Sequence, residues 1–99
     1  MQERNKLPSW HDEDQFWRRT FSTRPYTSSS PNYEVWRGGY RYGYDAAKRY
    51  PDREWHEVEP ELSHGWTSYE HRTDSAWEHV KAAVRDAWDR VTHHSTVTK

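Results

Sequence analysis

Seven histidines and sixteen acidic residues are the groups with most chemistry to offer in this 99-residue chain, and their spacing decides what they can do. Two metal ligands share one helix face when they lie four residues apart. His56 with Glu57 or Glu59, His64, His71, and His79 with Glu78 are the candidates, and no pair of them has that spacing. His93 and His94 are adjacent and suit adventitious binding of a transition metal. A histidine-rich metal-binding protein is therefore the third reading of function, and no metal site is assigned. Glu57, Glu59 and Glu61 offer carboxylates for proton transfer, but alternate positions diverge around a helix and form no acid/base pair. There is no cysteine to act as nucleophile or thiolate ligand, and no Gly-x-Ser-x-Gly elbow. Gly38, Gly39 and Gly43 lack the lysine and following hydroxyl of a phosphate loop. We read a non-enzyme with no cofactor.

A second chemistry is electrostatic. Net charge is −1, yet residues 16–53 carry eight Arg or Lys against three acids, and residues 54–91 carry nine acids against four cations. Either the halves neutralise each other within one fold, which we favour, or each presents a charged face to a partner. In the basic half, cations alternate with rings, as in proteins that bind single-stranded nucleic acid. Trp17, Arg18, Arg19, Phe21, Arg24, Tyr26, Arg41 and Tyr42 form the candidate partner-binding set. Accessory nucleic-acid binding is the runner-up function, because the acidic half repels phosphate and most tyrosines are needed for a core.

The elements that must position these groups follow from a repeat. Tyr33, Trp36, Tyr40 and Tyr44 sit at offsets 0, 3, 7 and 11, which at ~100° per residue keeps them within roughly 60° of one helix face. The same offsets return 22 residues later as Trp55, Val58, Leu62 and Trp66, and again as Trp77, Val80, Val84 and Trp88. Gly43, Gly65 and Ala87 form a matching small column. This predicts an all-α, compact three-helix domain over residues 10–92 with a Trp/Tyr core and an N-terminal aromatic segment packed across it. Helix one spans about 31–49, with Ser30 as N-cap and Pro31 at the first position. Helix two spans about 53–69, with Asp52 as N-cap and a kink at Pro60. Helix three spans about 76–92, opened by a capping box of Ser75 and Glu78. Residues 10–20 suit a short helix capped by Ser9, residues 1–9 a mobile tail, and residues 93–99 a frayed one. Gly39, Gly43 and Ala47 make a groove on helix one for large rings of its neighbours.

Composition limits the core: 31% of residues are apolar and 31% charged, with seven Trp, seven Tyr and two Phe supplying most of the apolar mass. A core this small is often completed by oligomerisation. Trp10, Phe16, Trp17, Phe21, Tyr26, Tyr42, Tyr50 and Tyr69 fall outside the stripe, and Tyr42 is predicted to point away from it, so self-association is expected. The opening MQERNKLPSW has no apolar run, so neither a signal peptide nor a membrane span is expected, and the cytoplasm is the default.

The run YRYGYDAAKRYPDREWHEVEPELSHGW, with FWRRTF and YEVW before it and AWEHVKAAVRDAWDRV after it, resembles a family of small bacterial proteins of uncharacterised function. YGYxAA, WxEVEPxL and WxxVKxAVRxAWxRV carry the resemblance, over roughly residues 12–92. It implies a bacterial origin and a connection to general stress response, and transfers no catalytic residue or ligand. The function these readings support is a non-enzymatic interaction or assembly module that contacts itself or another protein.

Overall fold

Four helices, not three, build the molecule in a computed structural model that describes residues 9–50, 52–70 and 76–96, with side chains described through residue 92. Helix α1 spans Trp10–Thr20, α2 Tyr33–Arg49, α3 Trp55–Gly65 and α4 Trp77–Thr96. Short 3-10 turns at Phe21–Thr23 and Pro25–Ser29 lead from α1 to α2, and another at Trp66–Ser68 follows α3. The Ser75 capping box, His71, and the tails 1–8 and 97–99 lie outside the described residues.

The ends follow local chemistry. The Ser9 hydroxyl accepts from Asp12 N–H at 3.2 Å, and the first turn of α1 carries Asp12 and Glu13 at the positive end of its dipole. Helix α2 starts two residues later than predicted, because the Asn32 side chain accepts from Glu34 N–H at 3.0 Å and caps the helix in place of Ser30. Glu54, not Asp52, precedes α3, and its N–H donates to the Glu57 carboxylate at 3.0 Å. Pro60 lies inside one continuous α3. Proline removes the bond to the carbonyl four residues back. That carbonyl belongs to His56, and both residues are exposed, where solvent can satisfy it. Helix α4 runs four residues past the predicted end at Thr92.

The widest interface is between α2 and α4, and α1 lies on α2. A Cβ at Gly43 would collide with the Val84 carbonyl oxygen and stand 2.9 Å from the Ala87 Cβ, so here the two backbones all but touch. At Gly39 a Cβ would meet the Ala83 and Val80 Cβ atoms at an ordinary 3.4 Å. The groove predicted for large rings thus receives the α4 backbone with its valines and alanines, and the indoles are displaced to either side.

Two aromatic clusters result. One joins Trp17 of α1 to Tyr33, Trp36 and Tyr40 of α2 and to Ala83 and Ala87 of α4. The other gathers Tyr42 and Tyr44 with Val58, Leu62 and Trp66, and with Val80, Val84 and Trp88. Ten of the twelve stripe positions are buried; Trp55 and Trp77, each the first residue of its helix, are half-buried. Tyr42 is buried too, on the flank of α2 expected to face away from the core. Helix α2 keeps one narrow polar strip, Glu34, Arg37, Arg41, Asp45 and Lys48, and most of the rest of its circumference is packed, so Tyr42 falls within the buried arc.

Gly43→Ala is expected to destabilise by about 1–3 kcal/mol despite alanine's better helix propensity, because the helices must separate. Gly39→Ala, with room for its methyl, is expected to be neutral or stabilising by up to about 1 kcal/mol. Equal melting shifts for the two variants would refute the contact at Gly43. Trp66→Ala and Trp88→Ala should each cost about 3–5 kcal/mol in urea unfolding, the range for emptying a buried aromatic site.

Candidate functional site

A core built from tyrosine brings hydroxyls inside with the rings, and each needs a partner. Tyr33 donates to Asp14 Oδ1 at 2.8 Å, Tyr26 to Asp86 Oδ2 at 2.6 Å and Tyr69 to Asp45 Oδ2 at 2.8 Å, while Tyr42 donates to the Leu62 carbonyl at 2.7 Å. Tyr26 and Tyr40 share a further bond of 3.0 Å. Burial first, and the facing carboxylate second, push the Tyr26, Tyr33 and Tyr69 hydroxyls well above the ordinary tyrosine value. Burial alone is the main cause at Tyr40, pushed up to about 12.

The carboxylates are held in turn by arginines, some from a distant part of the chain and some from one turn along the same helix. Asp14, on α1, receives Arg37 Nε of α2 at 3.0 Å and Arg18 at 3.4 Å. Burial raises its pKa, but the bonds from Arg37 and Tyr33, with Arg18, outweigh that and hold it below the usual carboxylate value. Glu13 is only 1% exposed and accepts from Arg90 Nε of α4 at 2.9 Å, with the Arg90 guanidinium 3.5 Å from the centre of the Phe16 ring. Arg24 meets Asp86 at 3.5 Å, and Arg41 meets Asp45 at the same distance. Residues 10, 13, 14 and 17 share one face of α1, so the two acids lie between Trp10 and Trp17 and are pressed into the core with them. That spacing was readable in the sequence; which arginines answer the acids was not.

This network redistributes the predicted partner-binding set. Trp17 is 1% exposed and stacks on Tyr40 at 4.3 Å with 6° between the planes, so it is a core residue. Tyr42 is a core residue as well. Arg18, Arg24 and Arg41 are engaged as above, Tyr26 bridges Asp86 and Tyr40, and Phe21 packs 5.2 Å from Tyr33. Arg19 is exposed and makes no ion pair among the described residues. The eight do not form one surface for a ligand. His11, His56, His64 and His79 are exposed, His79 lying on Trp36 at 4.7 Å. Among the described residues no group of three or more His, Asp or Glu is placed to hold a metal ion.

What is open is a cleft of about 760 Å³ between the second half of α2 and the end of α3 with the turn after it. Lys48, Arg49 and Tyr50 line one wall, and Glu61, Leu62 and Tyr69 the other, with Tyr42 between them. Glu61 is reached by Arg53 at 3.9 Å. Lys48 and Arg49 have no carboxylate partner among the described residues; Lys48 Nζ lies 5.3 Å from the centre of the Tyr44 ring, and the Arg49 guanidinium 5.9 Å from that of Tyr50. The volume falls within the range of ligand pockets, and its wall combines the unpaired cations and the rings with the acids Asp45, Glu61 and Glu70. No helix of the described residues is long and apolar enough to cross a membrane. No family model, no curated protein and no solved structure matches this chain.

Because Asp14 titrates lower in the folded protein than in the unfolded chain, its contribution is complete above the ordinary aspartate value of ~3.9 and disappears as pH falls through the lower folded value. Asp14→Asn is therefore expected to lose about 1–3 kcal/mol at pH 7, and the gap to the parent should close below about pH 4. Urea unfolding at the two pH values checks this; equal stabilities at pH 7 would mean that Arg37 and Tyr33 gain nothing from the carboxylate.

Proposed function

We propose that this chain is a non-enzymatic interaction or assembly module of the bacterial cytoplasm, associated with stress and working through self-association or contact with another protein. What supports this reading is how the polar groups are used. Tyrosine hydroxyls and buried carboxylates are bonded to one another across the fold, Arg24, Arg37 and Arg90 join them from a distance, and Arg18, Arg41 and Arg85 pair along their own helices, while the cleft beside α2 keeps two cations unpaired. Such a surface attracts an oppositely charged partner and packs it against rings. The stress association rests on the family resemblance alone. The runner-up, nucleic-acid binding, loses two stacking rings to the core in Trp17 and Tyr42, and keeps Arg19, Lys48 and Arg49 as free cations.

Two measurements separate these readings. Sedimentation equilibrium at low salt is expected to give a mass above the 12.1 kDa of the monomer, decreasing as salt screens the contact. Salt-dependent retention on immobilised single-stranded DNA by a chain that stays monomeric would instead favour the nucleic-acid reading.

A further inference from the structure

Between α2 and α3 the chain reverses its charge within a few residues. Lys48 and Arg49, both exposed, close α2; Asp52 and Glu54, both exposed, lead into α3, with the half-buried Tyr50 between the two pairs. Asp52 is three residue steps from Arg49, a span of at most ~11 Å, so a cationic and an anionic patch share one edge of the molecule. Neither satisfies the other within the chain. Eight of the eleven Lys and Arg with described side chains form ion pairs, and Lys48 and Arg49 are two of the three that do not. Asp52 and Glu54 likewise make no ion pair among the described residues, although the Glu54 carboxylate accepts from the Glu57 N–H in the capping box of α3 and Arg53 between them reaches Glu57 at 3.5 Å. The signs of these charges suit the helix ends they occupy, so sign alone says nothing of a partner. Their unpaired state does, in a molecule that pairs most of its other cations.

An edge with cations on one side of a ring and acids on the other is its own complement. Turned by 180° about an axis near Tyr50, a second copy sets its acids against the first copy's cations and its cations against the first copy's acids. We propose that this edge is a two-fold self-association surface, with Lys48 and Arg49 of each copy facing Asp52 and Glu54 of the other and the Tyr50 rings beside the axis. The proposal rests on the assembly reading above and names its surface and its partner. Exposed charge pairs are weak and screened by salt, so the dimer forms at micromolar concentrations or above and loosens as salt rises.

The two-fold geometry is tested with two exposed double variants, Lys48→Glu with Arg49→Glu, and Asp52→Lys with Glu54→Lys. Each alone places like charges across the axis, and its dimer dissociation constant by sedimentation equilibrium should rise about tenfold or more over the parent. Mixed in equal amounts, the two should recover a dimer, because every contact of the mixed pair joins opposite charges, and the chain carrying all four substitutions should recover one by itself. Circular dichroism confirms that each variant is folded. If the parent dimerises and the double variants do so as tightly, this surface is overturned while the assembly reading stands. If the mixture and the four-fold variant stay monomeric, the two-fold pairing is overturned. If the parent remains at 12.1 kDa at low salt and high concentration, self-association itself fails.

Discussion

The contact between Gly43 and the backbone of α4 is the constraint on which the rest of the structure depends. With no side chain at Gly43, and only a methyl at Ala87, two helices approach to a separation that ordinary residues forbid. A glycine inside a helix costs about 1 kcal/mol in propensity, so Gly38, Gly39 and Gly43 would weaken an isolated α2. At Gly43 that cost is offset by packing that only glycine permits. Close approach also leaves no room for rings between the helices, so the tryptophans and tyrosines are displaced to the flanks and form two clusters. Helix α1 covers one of them, and α3 with the turn after it covers the other.

Choosing tyrosine for a core has an electrostatic consequence. Phenylalanine would bury the same ring without a polar atom, whereas each tyrosine hydroxyl taken out of water must be bonded or costs on the order of 1–3 kcal/mol. Asp14, Asp45 and Asp86 serve three of them. A carboxylate brought inward for that purpose needs a cation, and the arginines at the cluster edges supply it while laying their guanidinium groups over the rings. Arg24 lies 5.2 Å from the centre of Trp17, and Arg37 and Arg41 lie 5.5 and 5.2 Å from that of Trp10. The high charge of this chain and its high aromatic content are thus two aspects of one packing solution.

Periodicity made much of this legible in advance. The 22-residue recurrence located α2, α3 and α4, and Ser9 marked the start of α1. Tyr42 departs from the expectation because four stripe positions define a narrow buried arc, whereas the buried arc of α2 extends round to Tyr42. Trp17 was misjudged for a related reason: a ring flanked by Arg18 and Arg19 looks like a stacking platform until Tyr40, far along the chain, is known to lie against it. The N-cap of α2 moved from Ser30 to Asn32 because residues 25–29 already form a turn, in which the Ser30 N–H returns to the Thr27 carbonyl at 3.0 Å. Ion-pair partners were the least legible feature. Arg90 and Glu13 lie 77 residues apart, and no local pattern links them.

The opposed charges of the two halves find their meaning in those long-range pairs. Arg24 of the basic half meets Asp86 of the acidic half, and Arg37 reaches back to Asp14 ahead of both. A polyanion approaching the basic half therefore finds five of its eight cations already committed to carboxylates, and any phosphate contact beyond Arg19, Lys48 and Arg49 requires an existing pair to open. Electrostatic attraction of that kind is reduced before any ring is considered, and the most favourable rings for stacking are buried. A partner needing only one or two charge contacts faces no such competition at Lys48 and Arg49. A protein surface offers such isolated carboxylates where a nucleic-acid strand offers a continuous line of charge. On the assembly reading proposed above, the internal neutralisation that holds this small fold together would favour another folded chain over a phosphate backbone.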